Sequence, residues 1–110
     1  MASTPEGKVK AKVKSMLAEF GMAVYSHWPV QNGMGKPTLD CIICAYGFYI
    51  AIETKVEGKN PTPRQQLTIS EITLAKGLTF VVRNERDVDQ VRQAIRLLGW
   101  TSANNSQSQT

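Results

Sequence analysis

The dipeptide Tyr46-Gly47 separates two β-forming stretches, residues 39–45 and 48–55, and constrains the fold more than any other feature of the chain. A two-residue turn there pairs Ala45 with Phe48 and runs the strands antiparallel. Asp40 then falls directly opposite Glu53, and Lys55 lies two residues further along on the same face as Glu53. Directly opposed residues have Cβ atoms roughly 4.5–5.5 Å apart, so two carboxylates face each other at that range. They repel unless a proton or a cation sits between them. A slip of one residue would put them on opposite faces of the sheet.

The remaining punctuation is equally local. Thr4 and Pro5 have the chemistry of an N-cap and first helical position. Val9, Val13, Met16, Leu17 and Phe20 then recur at helical spacing up to Gly21. Glu6 sits on the edge of that apolar stripe. Residues 22–28 read as a strand, followed by a loop containing Gly33, Gly35 and Pro37. Thr62-Pro63 opens a second helix, expected to end at Gly77, and residues 78–83 form a short strand. Asn84, with Asp87 three residues on, resembles a capping box for a last helix through Val88, Val91, Ile95 and Leu98 to Gly99. The expected order is α-β-β-β-α-β-α around a small mixed central sheet. Residues 1–100 form one domain, and 101–110 a disordered polar tail rich in Ser, Asn and Gln.

At 110 residues there is room for one core. No apolar run reaches the ~18–20 residues of a membrane span, and no secretory leader is recognisable. Two cysteines make no disulfide framework, so the expected setting is a reducing cytosol. The net charge of +4 permits a polyanionic partner without requiring one.

The apolar run 48–52 leads straight into Glu53-Thr54-Lys55, as in a buried strand that ends in ionisable groups. Two hard carboxylate donors suit Mg²⁺, and Lys55 beside them could orient an attacking water or stabilise a phosphodiester transition state. The bland alternative is a solvated polar strand end. Lys8 and Lys12 on the first helix, with Lys36, Lys59 and Arg64 on loops near Asp40 and Glu53, are the candidate phosphate contacts. His27 reads as a packing residue or DNA contact. Cys41 and Cys44, three apart on a strand, point to opposite faces and so read as structural rather than zinc-binding. Trp28 and Trp100 read as core or interface anchors.

Glu6, Asp40 after Gly35-Lys36-Pro37, Glu53-Thr54-Lys55 and Gln65 closely resemble the PD-(D/E)xK nucleases. More narrowly, they resemble the virus-type replication-repair nuclease (VRR-NUC) domain in its stand-alone phage or bacterial form. The resemblance covers residues 4–96, with one departure: the family's Pro-Asp pair is Pro37-Thr38-Leu39-Asp40 here. It implies a restriction-endonuclease-like α/β core with Asp40, Glu53 and the Thr54 backbone carbonyl as metal ligands and Lys55 as the catalytic lysine. Glu6 would complete the site from the first helix, directly, through water or at a second metal position. Gln65 would approach from the second helix, where it shares a stripe with Ile69 and Ile72; Gln66 is its rival in register. The implied cofactor is Mg²⁺, with Mn²⁺ as substitute. The implied activity is that of a structure-selective DNA endonuclease, a homodimeric resolvase of four-way (Holliday) junctions in the cytoplasm of a bacterium or phage-infected host. A restriction-like or flap nuclease with the same site, and a non-catalytic DNA-binding module, are the alternatives.

Overall fold

The computed structural model describes the backbone of residues 4–108 and the side chains of residues 4–104. The elements follow the expected order: α1 (Pro5–Ala18), β1 (Val24–His27), β2 (Cys41–Ala45), β3 (Phe48–Thr54), α2 (Pro63–Leu74), β4 (Leu78–Val82) and α3 (Glu85–Ser108), with one 3-10 turn (Gly21–Ala23) before β1. The strands lie side by side in chain order. β1–β2 and β2–β3 are antiparallel, and β3–β4 is parallel because α2 carries the chain across between them.

Ala45 pairs with Phe48 and Cys41 with Ile52, the register that the turn arithmetic requires. Tyr46 (φ 54°) and Gly47 (φ 86°) both take the left-handed conformation of a type I′ turn. For Tyr46 that conformation is costly. Its ring is held against α3 at Gly99, where an added Cβ would stand 2.7 Å from the ring carbon Cζ and the phenol oxygen. Gly99 therefore lies inside α3 for packing and does not end it, contrary to its expected role as a stop. The helix continues to Ser108, through positions expected in a polar tail; residues 109–110 of that tail lie outside the described residues.

One face of the sheet carries the core. Cys41, Ile43, Ala45, Ile50, Ile52 and Val82 pack against Val9, Val13, Met16 and Leu17 of α1 and Val88, Val91 and Ile95 of α3. Arg92 clamps these two helices from outside, its Nε and Nη2 each 2.9 Å from a Glu19 carboxylate oxygen. The fork holds the Glu19 carboxyl below its ordinary range. Tyr49, Ala51 and Glu53 alternate to the other face, which α2 covers on the β3–β4 side.

Caps place the helices. Thr4 Oγ1 accepts from Gly7 N at 2.9 Å at the start of α1. Thr62 and Gln65 form a reciprocal capping box at the start of α2. At α3 Asn84 Oδ1 accepts from Asp87 N, but Asp87 reaches back to Arg83 N, one residue short of the expected partner. α2 ends at Leu74, earlier than expected. Lys76 takes the left-handed position (φ 74°), and Gly77 N closes the turn on Ile72 O at 2.9 Å. Among the described residues no helix is long and apolar enough to cross a membrane.

Candidate active site

The hairpin ladder stops at Cys41↔Ile52 because the Asp40 side chain takes over the next hydrogen bond. Asp40 Oδ2 accepts from the Thr54 amide at 3.0 Å and from Thr54 Oγ1 at 2.7 Å. The start of β2 is thereby stitched to the end of β3, and Asp40 is brought beside Glu53. Its second oxygen, Oδ1, accepts from Gln31 Nε2 at 3.3 Å and faces Lys10 Nζ at 4.0 Å.

Glu53 is only 2% exposed. Its Oε2 accepts from Gln65 Nε2 at 2.8 Å and lies 3.5 Å from Lys55 Nζ. Its Oε1 is buried and is the one such side-chain oxygen or nitrogen among the described residues without a hydrogen-bond partner. Burial, reinforced by the Asp40 charge and partly opposed by Lys55, pushes the Glu53 carboxyl up to about 7. A buried carboxylate with one oxygen anchored and one unpartnered is in want of a cation or a proton.

Gln65 owes its place to the cap. Its Oε1 accepts from Thr62 N at 2.9 Å, which leaves the amide nitrogen of the same group to reach Glu53. Gln66 instead donates to Pro61 O, so of the two rivals it is Gln65 that faces the carboxylate. Beside Gln65 opens a cleft of about 250 Å³ whose walls include Gln31, Lys36, Thr62, Arg64 and Thr68. Asp40 Oδ1, Glu53 Oε1 and the Thr54 backbone fit a hard divalent cation with water completing its shell. Glu6 is exposed in the first turn of α1. Among the described residues no group of three or more His, Cys, Asp or Glu side chains is placed to hold a metal.

At the level of sequence, no family model and no curated protein matches the chain. A solved structure described as "VRR_NUC domain" superposes with a TM-score of 0.71 at 22% identity, covering 83% of this chain and 97% of that one. The chain has the VRR_NUC fold.

Within this VRR_NUC fold the expected phosphate contacts separate into two groups. Lys12 pairs with Glu85 at 3.8 Å and Lys36 with Glu71 at 4.0 Å, both at the surface. Lys8, Lys59 and Arg64 are exposed and form no ion pair among the described residues. The Lys59 carbonyl accepts from Arg83 Nε at 2.9 Å, which ties the loop after β3 to the end of β4. Lys10 and Gln31, which face Asp40, were not among the expected site residues. Lys10 had one legible signal, its place one helical turn beyond Glu6 on the same face. Gln31 had none, since it lies in an irregular loop. Cys41 is buried and Cys44 exposed, so the pair cannot share a metal; burial pushes the Cys41 thiol up to about 12, leaving it unreactive at neutral pH. Trp28 packs at the core edge under Lys14, whose ammonium stands 4.9 Å from the ring centroid, while Trp100 is exposed.

Proposed function

We propose that the chain is a metal-dependent, structure-selective DNA endonuclease that resolves four-way junctions as a homodimer, with Mg²⁺ as the natural ion and Mn²⁺ as substitute. The carrying observation is the buried, unpartnered Glu53 Oε1 beside Asp40 and Lys55. The likeness of fold to a VRR_NUC domain agrees with this reading.

A divalent ion held by Asp40, Glu53 and the Thr54 carbonyl would supply Lewis-acid stabilisation of the charge that develops on the scissile phosphate. The chain's own groups do the rest. Gln65 holds Glu53 Oε2 and so orients Oε1. Thr54 holds Asp40 Oδ2 and leaves Oδ1 facing outward to exchangeable partners. Lys55, half-buried and 3.5 Å from Glu53, presents a proton-donating ammonium to a phosphate oxygen or to the attacking water. Arg64 and Lys59 meet flanking phosphates, which positions the strand without reading its sequence. So small a domain has little surface beyond this cleft for base readout, and DNA shape is therefore its natural criterion. Two sites related by a two-fold axis can cut two opposed strands. The two free cysteines agree with a reducing cytosol as the place of action.

The test is a cleavage gel with an immobile four-way junction and its matching linear duplex, each in Mg²⁺ or EDTA, for native protein and Asp40→Ala. Paired nicks confined to the junction, abolished by EDTA and by the substitution, are expected. Cutting of both DNAs would remove the junction preference, and junction binding without cleavage in Mg²⁺ or Mn²⁺ would overturn the catalytic reading.

A further inference from the structure

We propose that Lys10 is a resident cation of the site: it occupies the metal-facing side of Asp40 when no divalent ion is bound, yields when one arrives, and then serves a phosphate of the bound strand. This rests on the nuclease reading above.

The two oxygens of Asp40 are not equivalent. Oδ2 is committed to the Thr54 amide and hydroxyl, both fixed by the end of β3, and releasing it would unpin the hairpin. Oδ1 is held only by the tips of two long side chains, Gln31 at 3.3 Å and Lys10 at 4.0 Å. Glu53 shows the same asymmetry, with Oε2 engaged by Gln65 and Lys55 and Oε1 unpartnered. The oxygens without a rigidly held partner are therefore Asp40 Oδ1 and the buried Glu53 Oε1, and these are the two that would serve an incoming ion. The ammonium of Lys10 stands against the first of them.

A divalent ion and an ammonium at such range repel strongly, so occupancy of one disfavours the other. Lys10 can leave: its side chain is 38% exposed, and its four-carbon stem rises from α1, in a different layer from Lys55. Once displaced from Asp40, it is an ammonium on α1 with only Glu6, one helical turn back, as an acidic neighbour on its own helix, and the phosphate of a strand bound at Asp40 is the anion that answers it. The two lysines differ in kind. Lys55 belongs to the Glu53 end and stays; Lys10 belongs to the Asp40 end and exchanges.

The test uses Lys10→Met, which keeps the stem and removes the charge, with Lys10→Gln as a second variant should the first fail to fold. Mn²⁺ binding to the DNA-free protein is titrated by calorimetry, with Asp40→Ala as the reference for a destroyed site. Both lysine variants are expected to bind Mn²⁺ about tenfold more tightly than native protein, from the loss of one positive charge at that range. Junction affinity in Ca²⁺ is expected to fall for the variants, with a salt slope smaller by about 1. Native Mn²⁺ binding with no gain in the variants would overturn the proposal and leave the nuclease reading standing. No Mn²⁺ binding by native protein and variants alike would overturn both.

Discussion

Glu53 sits where stability and chemistry oppose each other. Its carboxyl, raised to about 7 by burial and by Asp40, is neutral in the folded chain between about pH 4.5 and 7, where the unfolded chain ionises it. The stabilising contribution of that proton is complete below pH 4.5 and is lost as the pH rises through 7. Native protein is therefore expected to lose thermal stability between pH 5 and pH 8, followed by differential scanning fluorimetry. Glu53→Gln, which keeps the shape and the Gln65 contact, should flatten that profile and melt higher at pH 8 by about 5–10 °C. A native protein no less stable at pH 8 than at pH 5 would contradict the assignment. At this scale the sequence was legible where neighbours are set by a turn: Asp40, Glu53 and Lys55 follow from Tyr46-Gly47 and the two-residue period of a strand. Lys10 and Gln31 were not, because a helix in another layer and an irregular loop deliver them, and no local rule relates either to the hairpin.

The element that brings a second group to Glu53 is the first turn of α2. Thr62 caps the helix, and the same box fixes Gln65, whose amide spans from Thr62 N to Glu53 Oε2. Thr62→Ala should cost about 1 kcal/mol of stability in denaturant unfolding. It should also lower cleavage beyond what a global loss of stability explains, read as turnover at a temperature where both proteins are folded. Retained turnover would mean that Gln65 is positioned without the box. The caps of α1, α2 and α3 were all visible as residue types at fixed spacing. The end of α3 was not: Gly99 has the residue type of a stop, yet Tyr46, fifty-three positions earlier, uses its missing side chain as a seat. The shortened β1 has a similar cause, since Gly21 (φ 56°) opens a 3-10 turn where a strand was expected to begin.

For the whole molecule, the parallel β3–β4 pair sends both strands toward one end of the sheet. Asp40, Glu53, Lys55, Lys59 and the start of α3 gather there, while the Tyr46-Gly47 turn and the last turns of α3 lie at the other. The fold class and element order could be read in advance because α and β periods alternate cleanly along the chain. The proposed pairing between copies has no such basis: it follows from the resemblance alone, because the sequence carries no motif for it. Sedimentation equilibrium is expected to give twice the chain mass at concentrations where junctions are cut in pairs; a strict monomer that makes paired nicks would refute the dimer. The direction of α3 has a practical consequence. The helix starts beside the Asp40–Glu53 end and travels the length of the domain, so a tether or fluorophore on its last turns would stand away from the proposed DNA-binding side. Single molecules anchored to glass by that handle would keep the cleft beside Gln65 facing solution, and the proposed cleavage could be followed on them one by one.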